Sequence, residues 1–227
     1  MTEGKKSRSL FRILVPVAVV VALVALALGG QLATVRPIGT FTANSTVNPG
    51  GETFNKVAYV DGIWDSKVVP AVRSGATDAG ILIPALRKDP ESTARQFGHD
   101  VGGASNFLIR FSGKVTKVDT SSMNGLVTVS LRLGGQPQDV QVQVGPIISG
   151  TALRDAVGFV TFGLFTNQMQ FGDVGDELNN RVLKRVLAGI DPKTLLGRTV
   201  SIEGAFTYDS SIPLEVVVTP GVFTVEK

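Results

Sequence analysis

The sequence contains no cysteine and a single histidine among its 227 residues. Without cysteine the protein can form no disulfide, no cysteine-ligated zinc or iron–sulfur site, and no lipid anchor on an N-terminal cysteine. Only 18% of the residues are charged, whereas 43% are hydrophobic, which excludes a charge-rich, disordered tail protein. The length allows one domain, or two small ones, with an adequate core.

Motifs for catalysis and nucleotide binding are also missing. His99 is the only histidine, and no Gly-x-Ser-x-Gly sequence accompanies it, so nothing indicates a serine hydrolase. Neither a Walker A loop nor a Gly-x-Gly-x-x-Gly fingerprint occurs, and the acidic residues at 173–177 lack EF-hand spacing. We therefore predict no cofactor, no metal and no catalytic residue. The two carboxylates of a glycan hydrolase would leave no signature in the spacing, so that activity stays an alternative.

The N-terminus joins a basic flank to a long apolar run. Residues 1–12 hold four basic residues and one acid, and residues 13–30 are uncharged and apolar. A run of this length can cross a bilayer as a helix, and the positive-inside rule leaves its basic end in the cytoplasm. The run is either an uncleaved signal anchor or a signal peptide cleaved after Ala25-Leu26-Ala27, and its length favours the anchor. We predict a cytoplasmic flank and single-pass transmembrane anchor over 1–33, with the C-terminal domain extracytoplasmic, in the periplasm.

The positive charge of the chain is confined to this flank. Removing its four basic residues and one acid from totals of 22 and 19 leaves 18 of each sign, so the exported part has a formal net charge of zero. A nucleic-acid partner normally needs a basic face. The sequence therefore predicts no nucleic-acid partner.

The region after the anchor is predicted to be a linker followed by short helices. Residues 34–53 are rich in Thr, Asn, Gly and Pro, which is typical of a linker. The pattern from Phe54 to about Gly98 is helical, and the prolines at 70 and 84 are expected to break it into pieces. Asp89 before Pro90 predicts the start of another helix.

A longer helix is predicted between Asp173, as its N-cap, and Gly189, as its terminator. Apolar residues recur every four positions from 174 to 186, acids lie near its beginning, and Lys184 and Arg185 lie near its end. A short helix with Thr151 as its cap is predicted at about residues 151–156.

Three stretches of alternating apolar and polar residues predict an antiparallel meander with one buried face, and Asn124-Gly125 favours a tight turn between the first two. The segments around Gly113 and Gly204 share the order apolar, polar, Gly, any residue, apolar, Thr, and each is followed by an aspartate. A mid-strand glycine marks a bulge or bend. We predict an α+β, mainly antiparallel β fold over 54–227: one OB-like small barrel, or two duplicated ones, with accessory helices.

Several polar side chains lie among apolar and aromatic ones and form a candidate surface for a ligand or partner. Amides, a guanidinium and a carboxylate beside aromatic rings are groups that bind sugars. The alternatives are that the charged pair satisfies buried backbone groups, that the amides cap a strand end, and that the tryptophan belongs to the core. The candidate residues are Thr151, Arg154, Asp155, Thr166, Asn167, Gln168 and Trp64.

The sequence resembles the bacterial predicted periplasmic lipoproteins grouped as domain of unknown function 2291. The matching stretches are Ile63–Pro70, Val144–Pro146, Gly150–Ala156, Phe165–Gln168 and Gly204–Phe206. The resemblance implies an extracytoplasmic, membrane-tethered protein that is often encoded beside sugar-uptake ABC transporters and has no established activity. Members with a lipobox have a cysteine after the signal. This chain has Ala27-Leu28-Gly29-Gly30 there, which indicates that the helix itself is the tether.

These observations lead to one functional hypothesis and two alternatives. The hypothesis is a non-catalytic accessory or binding protein, held in the membrane by its N-terminal helix, whose partners are sugar ABC transporter subunits or a carbohydrate. One alternative is a hydrolase that acts on exported glycans through paired carboxylates. The other is a purely structural module of the envelope, expected if the candidate polar groups are buried and paired.

Overall fold

The computed structural model of the protein describes residues 45–47 and 53–226. The predicted flank and transmembrane anchor (1–33) and most of the predicted linker lie outside these residues. Among the helices of the described part, none is long and apolar enough to span a bilayer.

A short hairpin and a helical segment come first in the described chain. β1 (Ser45–Val47) pairs antiparallel with β2 (Thr53–Asn55), and the Asn55 side chain caps α1 (Lys56–Ile63) by accepting a hydrogen bond from the Ala58 amide. The chain continues through one π-helical turn (64–68) into α2 (Val69–Gly75). Pro70 is the second residue of α2, directly after the π-helical turn, and a local change of helix type is a usual accompaniment of a proline, which has no N–H to donate.

Two further helices precede the main sheet. After β3 (Thr77–Asp78), the Asp78 side chain caps α3 (Ala79–Lys88). Pro84 lies inside α3, so the prediction that it would break the helix is wrong: burial of the apolar face outweighs the lost hydrogen bond. The predicted helix start at Asp89 is confirmed, because its carboxylate caps α4 (Pro90–Phe97).

The predicted meander is confirmed and forms part of a barrel. Its strands are β5 (Ala104–Asp119), β6 (Leu126–Leu133) and β7 (Gln136–Gln143), paired antiparallel, with β4 (Gly98–Val101) added to β5. The turn between β5 and β6 spans residues 120–125, so a tight two-residue turn at Asn124-Gly125 is wrong. The chain already turns directly after β5, where the Asp119 carboxylate accepts a hydrogen bond from the Ser121 amide, and it reaches Asn124-Gly125 only at the end of the loop.

Two C-terminal strands close the barrel. β8 (Thr199–Tyr208) pairs antiparallel with β5 and with β9 (Val217–Val225), while β9 pairs in parallel with β7. The order β5-β6-β7-β9-β8 thus returns to β5, giving a five-stranded barrel of the OB type. Of the two predicted alternatives, one barrel or two, the described residues form one.

The predicted irregularity is confirmed at Gly204, and both glycines lie in this single barrel. β5 pairs with β8 up to Lys114 and with β6 from Lys114 onwards, and its register with β6 shifts between Val115 and Lys117. A Cβ atom on Gly113 would lie 2.6 Å from the Ser130 carbonyl oxygen, and one on Gly204, where β8 shifts against β9, would meet the backbone of β9. Each glycine allows a neighbouring strand to approach closely.

Helices connect β7 to β8. α5 (Ala152–Ala156) is followed by a 3₁₀ turn (162–164), α6 (Gln168–Arg181), a π-helical turn (182–186) and a second 3₁₀ turn (192–194). The predicted start of α6 at Asp173 is wrong, because Asn167 has an extended backbone and its side chain accepts from the Gln170 amide. Asp173 instead lies inside α6 and pairs with Lys56 at 3.1 Å. Gly189, with φ +77°, follows the helical segment.

Candidate functional site

The charged pair of the predicted surface is buried. Arg154 and Asp155 are only 7% and 4% exposed. The Arg154 Nε and Nη2 atoms donate to the two carboxylate oxygens of Asp155 at 2.7 and 3.0 Å, and Thr151 Oγ1 donates to Asp155 Oδ2 at 2.6 Å. Thr151 thus stands at the beginning of α5, but its side chain makes no capping hydrogen bond to the backbone. The carboxylate of Asp155 is satisfied within α5 and its cap.

The guanidinium of Arg154 joins α5 to α6. It lies over the Phe171 ring, 3.7 Å from the centroid, and its Nη1 atom donates to the Phe171 carbonyl oxygen at 3.2 Å. A charged hydrogen bond and a cation–π contact in a buried setting fix the packing of the two helices. This arrangement agrees with the alternative in which the pair satisfies buried groups.

The other predicted residues are placed separately. Asn167 is the N-cap of α6, while Thr166 and Gln168 on either side of it are exposed. The Thr166 amide donates to Gln170 Oε1 at 3.1 Å. Trp64 is 2% exposed and belongs to the core, so its ring offers no open face on which a sugar could stack.

A polar groove lies elsewhere, on the outer face of the β5–β6–β7 meander. Helices pack against β5, β8 and β9, whereas β7 meets α3 at one end, through the hydrogen bond of Arg87 to Gln138. The groove has a volume of about 370 Å³, which falls within the range of small-molecule sites. It is lined by Thr116, Lys117, Thr128, Gln138, Asp139, Gln141, Leu214, Glu215 and Val216.

The sheet register aligns the floor of the groove. Lys117 faces Thr128 across β5 and β6, Thr128 faces Gln141 across β6 and β7, and Gln141 faces Val217 on β9. Neighbouring side chains in such a cross-strand row lie about 5 Å apart. An ammonium, a hydroxyl and an amide therefore stand side by side on a rigid sheet. The segment before β9 is held against this row because the backbone N–H of Gln141 donates to the Val216 carbonyl oxygen at 2.9 Å.

Charges of both signs line the groove. Lys117 supplies a positive charge, and Asp139 and Glu215 supply negative ones. Donors and acceptors are thus both present, with a balance that matches neither a polyanion nor a polycation. Aromatic residues are not among the lining side chains.

Two loops of the barrel begin with the same local turn. Asp119 opens the loop 120–125 and accepts from the Ser121 amide and hydroxyl at 3.0 and 2.6 Å, and Asp209 opens the loop 209–216 and accepts from the Ser211 amide at 2.8 Å. The serine side-chain and backbone hydrogen bonds lower the pKa of both aspartates. Asp119 and Asp209, the aspartates that follow the two similar glycine segments, therefore each form a turn.

We predict that acid loosens both loops. A carboxylate whose pKa is lowered by folding stabilises the turn above its unfolded pKa, about 3.9, and that contribution is lost as the pH falls through the lower, folded value. Amide hydrogen exchange at residues 120–125 and 210–215 should therefore rise below about pH 4 beyond its intrinsic pH dependence. Asp119→Asn should weaken the acid response of the first loop alone. An unchanged response in that variant would contradict the prediction.

No chemical motif in the sequence marks the groove residues as a site. Thr116, Thr128 and Gln141 are visible in the sequence as the polar positions of alternating strands. Nothing local shows that Leu214–Val216 would lie beside them, since β9 follows β7 by more than 70 residues. The same pattern places Gln143 on the wet face, and this is wrong. Its amide is buried and bonded to Asn124, Ser149 and Thr219.

The comparisons with known proteins agree with this architecture. The chain is similar in structure to an OB-fold protein from Thermotoga maritima, with a TM-score of 0.64 and 20% sequence identity, over 77% of this chain and 100% of the other. This likeness confirms the predicted OB fold. No curated protein matches the chain. The model of a predicted periplasmic lipoprotein family matches residues 19–223. The chain therefore belongs to this family of predicted periplasmic lipoproteins, domain of unknown function 2291.

Proposed function

We propose that the protein is a non-catalytic binding protein of the periplasm, anchored by residues 1–33 with its N-terminus in the cytoplasm, that serves a sugar ABC uptake system. Its binding site is the groove on β5–β7, and its ligand is a saccharide or related polyol. The row of Lys117, Thr128 and Gln141 on the open face of the barrel carries this proposal.

The position of the groove supports binding. OB barrels use the face of their second and third strands, together with the loops between strands one and two and between strands four and five, to hold oligonucleotides and oligosaccharides. Here those strands are β6 and β7, and those loops are 120–125 and 209–216. The groove includes residues of both strands and of the second loop.

The chemistry of the groove favours a polyol over a nucleic acid. Hydroxyl, amide, ammonium and carboxylate groups together can both donate to and accept from sugar hydroxyls. A single-stranded nucleic acid would call for a positive groove with aromatic stacking platforms. The lining instead pairs Lys117 with Asp139 and Glu215 and contains no ring.

The cellular context is consistent with this proposal. Membership of a predicted periplasmic lipoprotein family supports an extracytoplasmic location and an association with the membrane. The link to sugar uptake rests on the gene neighbourhood that the family resemblance implies. It gives a first set of ligands, the sugars that the neighbouring transporter carries.

We expect Gln141→Leu to weaken sugar binding about tenfold, because loss of one well-placed hydrogen-bonding amide costs roughly 1.4 kcal/mol. The measurement is isothermal titration of the full chain in detergent with each transported sugar. The matched control is Gln168→Leu, which removes an exposed amide from the originally predicted surface and should leave the affinity unchanged. Equal losses in both variants, or no binding by the unmodified chain, would reject the groove.

Crosslinking in the native membrane tests the partner. Recovery of the permease or the sugar-binding subunit would support the proposed accessory role. Recovery of the chain alone or with cell-wall proteins would reject it.

Release of reducing ends from exported glycans, abolished by Asp139→Asn or Glu215→Gln, would instead support the hydrolase alternative.

A further inference from the structure

A second surface differs from the groove in being apolar. Residues 156–172 contain no charged side chain. Within them Phe162, Leu164 and Met169 are 50%, 60% and 66% exposed. We call these three residues the apolar tip. Single exposed apolar residues are ordinary, but several large ones within one uncharged segment mark an interaction surface.

The apolar tip is supported from below by packed aromatic rings. Phe162 meets Phe171 edge to face at 5.9 Å between centroids, and Phe165 lies 5.8 Å from the same ring. Phe165 also meets Tyr59 edge to face at 5.4 Å. The backbone forms a 3₁₀ turn in which the Phe165 amide donates to the Phe162 carbonyl oxygen at 3.0 Å. Phe162 and Phe165 therefore belong to a packed cluster of aromatic rings around Phe171. The Arg154 guanidinium packs on the Phe171 ring as well.

This surface lies at the end of the domain where the chain enters it. Phe54, the second residue of β2, meets Phe165 edge to face at 5.7 Å. β1 begins at Ser45 and pairs with β2, so 14 residues, 31–44, separate it from the apolar run of the N-terminus, and a chain of that length spans at most about 50 Å. A bilayer that holds the N-terminal run can therefore lie no farther than that from the end of the domain that carries the apolar tip.

The charges that adjoin the uncharged segment 156–172 suit a lipid headgroup layer. Lys67 lies with its Nζ atom 6.0 Å from the Phe159 ring, next to the uncharged segment. Asp173, the first acid after that segment, is neutralised by Lys56. Exposed Phe and Leu side chains in an uncharged segment that a lysine contacts are a combination by which peripheral surfaces enter the interface of anionic membranes.

We propose that the apolar tip inserts into the headgroup and upper acyl region of the bilayer and holds the domain on the membrane surface. The occupant is lipid, and the apolar tip shares no residue with the groove, so insertion does not depend on sugar binding.

The absence of cysteine makes a labelling test direct. Met169→Cys and Met123→Cys replace two methionines of matched exposure, 66% and 62%, and each is labelled with an environment-sensitive fluorophore. The full chain is reconstituted in vesicles of phosphatidylethanolamine and phosphatidylglycerol. We expect the label at 169 to show blue-shifted emission, quenching by spin-labelled lipid and several-fold weaker quenching by iodide than the label at 123. Equal iodide quenching at both positions would overturn the proposal.

A second variant separates insertion from simple proximity. Phe162→Asp with Leu164→Asp, combined with the label at 169, should abolish the blue shift, because charged side chains are costly in the bilayer interior. Leu164 is 60% exposed, whereas Phe162 also contacts the Phe171 ring, so Leu164→Asp alone is the variant whose thermal melting should stay close to that of the parent. A blue shift that persists would overturn insertion. A label at 169 that stays in water in vesicles but crosslinks to a protein in native membranes would replace lipid by a protein partner.

Discussion

Replacing Asp155 with alanine is expected to lower the free energy of unfolding by about 3–5 kcal/mol, the usual cost of leaving one member of a buried ion pair without its partner. Asp155 provides both carboxylate oxygens to Arg154, a residue that is 7% exposed. The remaining contacts of the guanidinium, the Phe171 carbonyl oxygen and ring, carry no full negative charge. The loss should separate α5 from α6.

The measurement is urea unfolding of the full chain in detergent, followed by fluorescence. Trp64 is the single tryptophan and is buried, so its emission reports the core directly. The control is Asp65→Ala, which breaks an exposed pair with Arg185 of similar length, 3.0 Å, at side chains that are 68% and 47% exposed. That variant should lose less than about 1 kcal/mol. Similar losses in both variants would contradict a stabilising role of the buried Arg154–Asp155 pair.

The contrast between these two pairs also shows why the sequence left the role of Arg154 and Asp155 open. Arg154 and Asp155 stand in an apolar segment, and a charged pair there suggests either a ligand site or a buried structural pair. The difference depends on the position of Phe171, a residue 17 positions away that lies on another helix. No local pattern encodes that distance. The burial of Trp64 has the same origin, since it depends on long-range packing of the core.

Local signals were reliable where local physics decides the outcome. The period-two alternation predicted β5, β6 and β7, because a one-residue slip would expose the whole apolar face. Asp89 before Pro90 predicted a helix start because a capping side chain and a proline in the first turn are both local signals. The start of α6 was misplaced because the sequence offers two capping residues, Asn167 and Asp173, and only the first has the extended backbone that a cap needs.

Barrel closure depends on long-range pairing and was only partly predictable. The glycines at 113 and 204 indicated bends, but not that their two strands are neighbours in one barrel. The parallel pairing of β7 with β9 joins Gln141 to Val217 and Val142 to Val218. The groove lies at this junction and takes residues from segments that are far apart in the sequence, so no local chemical motif marks it. The alternating polar positions indicated Thr116, Thr128 and Gln141, three of the nine lining residues, and the topology of the barrel brings the others beside them.

Gly204→Ala is expected to destabilise the barrel by about 3 kcal/mol, the upper part of the usual range for overpacking. A Cβ atom there would meet the Thr219 carbonyl oxygen and would lie 2.7 Å from Val218 Cγ1 and 3.0 Å from Pro220 Cα. Backbone atoms of a paired strand cannot rotate away as a flexible side chain can. Relief therefore requires β8 and β9 to separate where their register shifts, beside the Val217–Val218 contact that closes the barrel.

The matched control is Gly172→Ala, the same one-carbon change inside α6, where a Cβ atom would meet nothing within 4 Å. Alanine is the better helix former, so this variant should gain about 0.5–1 kcal/mol. The two substitutions should thus shift the urea midpoint in opposite directions, with Trp64 emission as the readout for both. A loss at Gly204 no larger than about 0.5 kcal/mol would mean that β8 and β9 are not held as closely as the glycine bend requires, and that barrel closure tolerates a wider spacing.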